Sequence, residues 1–302
     1  MRRIVLAAAI ALPVIFTTPA CKLASRNRVQ SINRMNQAIE LYRKQNASGA
    51  EKALQEAIQI DPTHAAAHNT LGMIYRKQNK LVDAEKAFQG AIDNMGETPD
   101  AEYYYQLGAV QAAQGEAEGV SQTEKEAKYN SAIASFQEAI KVKPSHYKAF
   151  YRTGTLYEKL DQPPQADAAY RKSIELRADF SASFVSLGNM YIDYGFANVG
   201  EAVLKTGVQV NEKDAKMWNG LGRAYLSLNR AQEAVDAFQK AKAIDPDMPD
   251  VLFGLGMAYA DLRQRKDAIE NLEAFLQKAG ADVPEDRKKA ATDTMARMQD
   301  VI

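Results

Sequence analysis

The chain has 302 residues, with 38 basic and 38 acidic side chains, three histidines and one cysteine. This balance of charge argues against a nucleic-acid binder that works through bulk positive charge. A single cysteine excludes an internal disulfide framework and any cysteine-rich zinc or iron–sulfur site. Hydrophobic residues make up 46% of the chain, which is typical of a folded protein.

Residues 1–20 are predicted to form a signal peptide. Arg2 and Arg3 form a positively charged N-terminal region, and residues 4–16 form an uncharged, mostly apolar segment. A helix of this length spans roughly 20 Å, whereas a bilayer core is about 30 Å thick. The segment is therefore typical of a secretion signal and too short for a membrane-spanning anchor.

The single cysteine, Cys21, directly follows Ala20, and a second small residue, Thr18, lies three positions before it. This arrangement resembles the lipobox of bacterial lipoproteins, in which the cysteine becomes the lipid-modified N-terminus. The resemblance implies an outer-membrane lipoprotein facing the periplasm, because Lys22 and not aspartate follows the cysteine. Residues 21–30 are then a lipid-anchored linker. Ordinary cleavage after Ala20, which would give a soluble periplasmic protein, is the alternative.

Residues 31–282 repeat one pattern seven times. Glycines at 154, 188, 222 and 256 are 34 residues apart, and a tyrosine follows each of them three residues later. The sixth copy is the most complete, with Trp218, Leu221, Gly222, Tyr225, Ala234 and Phe238 at fixed spacing. This pattern resembles the tetratricopeptide repeat, which implies an all-α, right-handed superhelical solenoid of helix-turn-helix units. The predicted repeats are 31–64, 65–98, 101–146, 147–180, 181–214, 215–248 and 249–282.

Each repeat holds two amphipathic segments of about 13 residues. A glycine in the first segment permits close helix packing, and we assign this structural role to Gly72, Gly108, Gly154, Gly188, Gly222 and Gly256. Prolines at 62, 144 and 246 are predicted to end second helices, since the residue before a proline is pushed out of the α region.

Two regions depart from the period. The third repeat has twelve extra residues, and the segment near 114–130 is predicted to be either an extended hairpin or a pair of lengthened helix ends. Residues 283–302 are predicted to form a capping helix, with Val283, Ala291, Met295 and Met298 against the last repeat.

We find no catalytic motif, no metal site and no cofactor-binding motif, so an enzyme or a small-molecule carrier is the less favoured alternative. His64 and His68 are four residues apart, a spacing that suits a metal on one helix face, but His64 falls in a turn and no third ligand is apparent. Structural packing is the favoured interpretation of both histidines.

In the tetratricopeptide family the concave face is built mainly from the first helices. The candidate partner-binding residues at these positions combine aromatic and methionine side chains with amides and cations, which suits a peptide. They are Asn69, Met73, Arg76, Tyr105, Lys148, Tyr151, Arg152, Asn189, Lys216, Asn219, Arg223 and Phe253. Lys148 and Arg152 match two positions of the family's carboxylate clamp. Gln106 stands where asparagine is expected, so capture of a C-terminal carboxylate is not predicted.

The predicted function is a non-enzymatic envelope scaffold or adaptor that binds proteins or peptides, without a nucleic-acid partner. Its layout resembles the type IV pilus pilotin lipoproteins, which implies a role in secretin assembly at the outer membrane. An adaptor for peptidoglycan hydrolases or synthases is the alternative within the same class.

Overall fold

The computed structural model describes residues 19–281 and 283–299, with side chains described from residue 26 onward. The predicted signal peptide therefore lies outside the described residues, except for Pro19 and Ala20. The side chain of Cys21 also lies outside them.

All regular secondary structure in the described part of the chain is helical, which confirms the predicted all-α fold class. The helices are α1 (Pro19–Arg43), α2 (Ala47–Ile60), α3 (Ala65–Lys77), α4 (Leu81–Asp93), α5 (Ala101–Gly115), α6 (Gln122–Val142), α7 (Tyr147–Lys159), α8 (Pro163–Leu176), α9 (Ser181–Asp193), α10 (Ala197–Val210), α11 (Ala215–Ser227), α12 (Ala231–Ile244), α13 (Pro249–Asp261), α14 (Arg265–Lys278) and α15 (Glu285–Gln299).

The chain packs as two units, residues 1–110 and 111–302, and the division falls within α5. In unit 1, α1 packs on α2, α3 packs on α4, and α2 joins the two pairs by packing on α3. In unit 2, α7 to α14 form four such pairs. The first helices of these pairs, α7, α9, α11 and α13, also contact one another in succession. We call the surface that they share the first-helix face of unit 2.

Close packing within a repeat depends on a glycine that faces a large side chain. A Cβ atom added at Gly222 would lie 2.6 Å from the ring of Phe238, and one at Gly154 would lie 2.7 Å from the ring of Tyr170. Phe238 is fully buried and also meets Gly254, on the first helix of the next repeat. The same arrangement recurs at Gly72 with Phe88, Gly188 with Leu204 and Gly256 with Leu272.

The second helices end where the sequence predicts. The helices α2, α6 and α12 each stop two residues before a proline, at Pro62, Pro144 and Pro246. The residue between helix and proline is extended in all three cases, as the proline ring requires.

Residues 21–30, predicted to be a linker, belong to α1 in the structure. Arg28 forms an ion pair with Asp61 at 2.7 Å and donates a hydrogen bond to the carbonyl oxygen of Thr63 at 3.0 Å. The chain before the first predicted repeat is therefore a helical extension whose end packs on the turn between α2 and α3.

The extra residues of the third repeat lengthen its second helix. The helix α6 has 21 residues, whereas α8, α10, α12 and α14 have 14 each. Ser121 and Glu124 start it with reciprocal hydrogen bonds between side chain and backbone, a capping box. The insertion therefore forms a lengthened helix and not an extended hairpin.

The C-terminal helix α15 covers the end of unit 2. Ala291 is fully buried, and Val283 and Met295 pack with it against Leu272 and Phe275 of the last repeat. No helix in the described residues has both the length and the apolar character needed to cross a membrane.

Gly222→Leu tests the contact between the helices of the sixth repeat. The new side chain would need the space that the Phe238 ring occupies, so we expect the unfolding free energy to fall by about 1–3 kcal/mol. Thermal melting followed by circular dichroism would measure the change. Ala202→Leu, at an exposed position on α10, is the matched control and should leave the melting temperature almost unchanged. An unaltered melting curve for Gly222→Leu would contradict the packing described here.

Candidate functional site

Unit 1 brings together a serine and a histidine in a way that resembles a catalytic pair. Ser31 Oγ lies 2.7 Å from His64 Nδ1. The hydroxyl of Ser31 donates to the carbonyl oxygen of Ala57 at 2.7 Å, so the histidine ring must supply the proton between them. Ser31 is 0% exposed and His64 is 5% exposed. No substrate can reach such a hydroxyl, and the pair ties α1 to the turn before α3.

Asp61 beside this pair also has a structural role. Its carboxylate accepts hydrogen bonds from the amide and hydroxyl of Thr63 at 3.0 and 2.7 Å and pairs with Arg28. His68 Nε2 contacts the carbonyl oxygen of Pro62 at 2.9 Å. Both histidines of the predicted pair are thus occupied by local contacts. The described residues contain no group of three or more histidine, cysteine, aspartate or glutamate side chains that could hold a metal ion.

The strongest candidate site lies on the first-helix face of unit 2. Residues of α9, α11, α13 and the start of α15 enclose a depression of about 830 Å³, which we call the asparagine pocket. Four predicted binding residues line it together: Asn189, Asn219, Arg223 and Phe253.

The two asparagines leave hydrogen-bonding capacity in this pocket. Asn219 is only 9% exposed, and its Oδ1 accepts no hydrogen bond from the described residues. The Oδ1 of Asn189 is also buried and without such a partner. The Asn189 side chain rests on α11 at Gly220, where an added Cβ would lie 3.2 Å from its oxygen. Two carboxamides from neighbouring helices therefore lie close together on one surface.

The arginines of the asparagine pocket are held by carboxylates. Arg223 pairs with Asp193 at 2.6 Å, and Arg287 of α15 pairs with Asp250 at 2.6 Å. The guanidinium of Arg287 also stacks over the Phe253 ring at 4.5 Å. Because the charge of each arginine is already balanced, the pocket has no free cationic clamp for a terminal carboxylate.

The role of Arg287 was not predicted from the sequence. Arg287 lies in the predicted capping helix, for which only the apolar residues were expected to contact the last repeat. Nothing in its local sequence indicates that the start of α15 would reach the face formed by α11 and α13.

A second depression of about 500 Å³ lies on unit 2 and includes Tyr151 and Lys216 among its lining residues. The ring of Tyr151 also packs edge-on against Phe180 at 5.2 Å and tilted against Tyr170 at 5.9 Å. Tyr151 is therefore partly a packing residue, while Lys216 is exposed.

Two further predicted residues, Lys148 and Arg152, are exposed on α7. The Lys148 ammonium lies 5.9 Å from the ring of Tyr147. Further along α7, Glu158 accepts a hydrogen bond from the Tyr170 hydroxyl at 2.7 Å, and burial raises the pKa of the Glu158 carboxyl.

The remaining predicted residues lie in unit 1. Met73 is exposed beside Ile39 and Tyr42, in an apolar depression of about 230 Å³. The Oδ1 of Asn69 is buried and accepts no hydrogen bond from the residues that the structure describes, like the two asparagine oxygens of the asparagine pocket. Arg76 donates to the side chain of Gln106 at 2.6 Å. Tyr105, half-buried on α5, also belongs to this unit.

Comparison with known protein families identifies the repeats. Models described as tetratricopeptide repeat match residues 35–102, 125–179, 222–262 and 250–280. Together these matches span more than half of the chain. The chain belongs to the tetratricopeptide repeat family. This family assignment supports a role in protein–protein interaction.

Several solved structures share this fold. A tetratricopeptide repeat protein from Parabacteroides merdae aligns over 90% of this chain and 99% of its own, with a TM-score of 0.62 and 15% identity. PilW, a widely conserved type IV pilus biogenesis factor, aligns over 73% of this chain and 96% of its own (TM-score 0.58, 20% identity). YrrB, a protein with an unusual peptide-binding site, aligns over 67% and 97% (TM-score 0.50, 20% identity). A comparison with curated proteins gives no significant match.

The buried histidine predicts a pH-dependent stability. Burial is the main cause that lowers the pKa of His64 below its ordinary value of 6.5, and the charge of Arg28 adds to this effect, whereas Asp61 opposes it. The folded state therefore disfavours the protonated ring. Stability should be unaffected by this group well above pH 6.5, and it should be lost as the pH falls below that value.

Urea unfolding of the full-length protein at pH 7.5 and pH 5.5 would measure this loss. In His64→Gln the difference between the two pH values should shrink. In His68→Gln, the control, the difference should stay as in the wild type. Equal pH dependence in all three proteins would show that His64 does not carry the effect.

Proposed function

We propose that this protein is a non-enzymatic adaptor that binds an extended peptide segment of a partner protein in the asparagine pocket. One observation carries the proposal: the Oδ1 atoms of Asn189 and Asn219 are buried, lack donors in the described residues and share one pocket with Phe253. Both oxygens are buried in the free protein, so the two carboxamides must rotate towards a ligand to accept its N–H groups. A buried acceptor without a donor costs about 1–3 kcal/mol, and this free energy is recovered when the ligand supplies the donors.

A peptide main chain has the chemistry that these groups need. A side-chain carboxamide both donates and accepts hydrogen bonds, so it can pair with a backbone N–H and a backbone carbonyl. Phe253 and Ile192 also line the pocket and offer apolar surface for a side chain of the ligand. Polar groups then orient the peptide, while the apolar contacts provide most of the affinity.

The charges around the pocket favour an internal segment over a chain terminus. Arg223 and Arg287 are paired with Asp193 and Asp250, and Asp286 lies at the same rim. A C-terminal carboxylate entering here would meet more negative than positive charge, which opposes its capture.

We further propose that Cys21 carries a lipid that tethers the protein to the outer membrane, facing the periplasm. The small residues before Cys21, which resemble a lipobox, support this proposal. Several acyl chains are needed for stable anchoring, and a lipoprotein N-terminus has them. A soluble periplasmic form is the alternative.

Within this setting, a lipid anchor followed by tandem repeats resembles the layout of the type IV pilus pilotin lipoproteins, which favours an outer-membrane secretin as the partner. PilW, a type IV pilus biogenesis factor, shares the fold. A peptidoglycan hydrolase or synthase is the alternative partner. Both would use the same first-helix face, so they are distinguished by the identity of the bound protein.

Asn189→Ala combined with Asn219→Ala tests the pocket. We would place the photoreactive residue p-benzoylphenylalanine at position 227, on the exposed rim, and crosslink in cells. The yield of the partner adduct, measured by immunoblot, should fall about fivefold or more, since each lost hydrogen bond contributes about 1 kcal/mol. The melting temperature should not fall, because the two oxygens accept no hydrogen bond in the free protein.

Asn198→Ala, on the exposed surface of α10, is the matched control and should leave the adduct unchanged. Mass spectrometry of the adduct then separates a secretin from cell-wall enzymes. An adduct of undiminished yield in the double variant would place the partner site elsewhere.

Cys21→Ala tests the anchor. Without the thiol no acyl chain can be attached, so we expect the protein to move from the membrane fraction to the soluble periplasmic fraction. Lys22→Ala retains the cysteine and should stay with the membranes. A Cys21→Ala protein that still sediments with membranes would contradict lipid anchoring.

A further inference from the structure

A second apolar surface of unit 2 lies at the turns within the fourth and fifth repeats. Two of its aromatic residues are unusually accessible, Phe196 at 60% and Tyr194 at 40% exposure. They border a depression of about 350 Å³, which we call the aromatic slot. Its apolar lining consists of Pro163, Pro164, Met190, Tyr191, Tyr194 and Phe196. None of these residues lines the asparagine pocket.

The other repeats show that an apolar residue at position 196 is unusual. In six repeats the turn between the two helices has one residue with positive φ, and the next residue is the N-cap of the second helix. Phe196 is one of these N-cap residues, and it follows Gly195, whose φ is +82°. The equivalent N-cap residues are all polar: Asn46, Lys80, Gln162, Arg230 and Gln264. Phe196 makes no side-chain capping bond, so helix capping does not explain it.

The aromatic side chains of the slot are held in place. The hydroxyl of Tyr194 donates to Asp161 at 2.5 Å, and the hydroxyl of Tyr191 donates to Asp167 at 2.6 Å. The ring of Phe196 stands edge-on to the ring of Tyr191, with 6.4 Å between centroids. A slot whose walls are already fixed binds a ligand with little loss of conformational entropy.

The charges at the slot are mainly negative. Asp167 is paired with Arg171 at 2.8 Å, but Asp161 forms no ion pair among the described residues. Arg171 also stacks on the Tyr191 ring at 6.0 Å, so that ring already has a cation partner. Next to its apolar floor, the slot therefore offers one unbalanced carboxylate.

We propose that the aromatic slot docks an extended segment of a partner protein in which an apolar side chain lies next to a lysine or arginine. The apolar side chain packs between Pro164 and Phe196, and the cation pairs with Asp161. Charge complementarity selects this occupant, because an acidic peptide or an anionic lipid surface would be repelled by the same carboxylate. This site is separate from the asparagine pocket and does not depend on the function proposed for that pocket.

Two fluorescein-labelled synthetic peptides test the proposal on the full-length protein. In one peptide leucines alternate with lysines, and in the other glutamates replace the lysines. By fluorescence anisotropy, we expect the lysine peptide to bind at least about tenfold more tightly than the glutamate peptide. Added salt should weaken its binding, because the ion pair at the slot is solvent-exposed.

Phe196→Gln introduces the residue that stands at the equivalent position in the fourth and seventh repeats. It should weaken the lysine peptide about tenfold, since an aromatic anchor is removed, without lowering the melting temperature. Asp161→Asn should reduce the preference for lysine over glutamate. Val210→Gln, which removes an exposed apolar side chain elsewhere on unit 2, is the matched control and should bind as the wild type does.

Each of four other outcomes would overturn the proposal. Equal binding of the lysine and glutamate peptides would show that the slot does not select a basic ligand. Binding lost in Asn219→Ala but retained in Phe196→Gln would place the peptide in the asparagine pocket and leave the function proposed there intact. A dimer in sedimentation velocity that Phe196→Gln abolishes would make the slot a contact between two copies. Attachment to vesicles containing phosphatidylglycerol that Phe196→Gln abolishes would make it a lipid-binding surface.

Discussion

The contact between a glycine on the first helix and a large side chain on the second is the constraint on which the rest of the structure depends. In the sixth repeat the Phe238 ring fills the space next to Gly222 and also meets Gly254 of the following repeat. One buried ring thus joins the two helices of its own repeat to the next first helix. Packing within a repeat and between repeats therefore cannot vary independently, and the first helices of unit 2 are held side by side.

This constraint makes room for polar groups on the first-helix face. Asn189 lies over Gly220, a position on α11 where no side chain competes for the space. The unpaired oxygens of Asn189 and Asn219 cost about 1–3 kcal/mol each. The surrounding core can offset such a cost because neighbouring repeats together bury large clusters of apolar side chains. Binding groups that destabilise the free protein are thus compatible with a stable solenoid.

The sequence predicts the helices well because glycines and large apolar side chains recur at a constant spacing, so equivalent contacts recur in five of the seven repeats. Contacts between non-equivalent positions could not be predicted in this way. The bond between Ser31 and His64 depends on how α1 lies over the turn before α3, and Arg287 reaches Phe253 only because α15 starts beside α13. The capping box at the start of α6, by contrast, was readable from the sequence and would have favoured a lengthened helix over a hairpin.

The packing glycines and the residues of the aromatic slot differ in how freely they can be substituted. A first-helix glycine such as Gly222 cannot be replaced without moving a buried ring, whereas Phe196 lies outside the core and can change at little cost to folding. Asp193 and Tyr194 are adjacent in the chain, yet one pairs with Arg223 at the asparagine pocket and the other lines the aromatic slot. Successive side chains point about 100° apart around a helix, so one repeat can present two chemically different surfaces. A repeat protein can therefore gain a second binding site at its turns while the first-helix face stays unchanged.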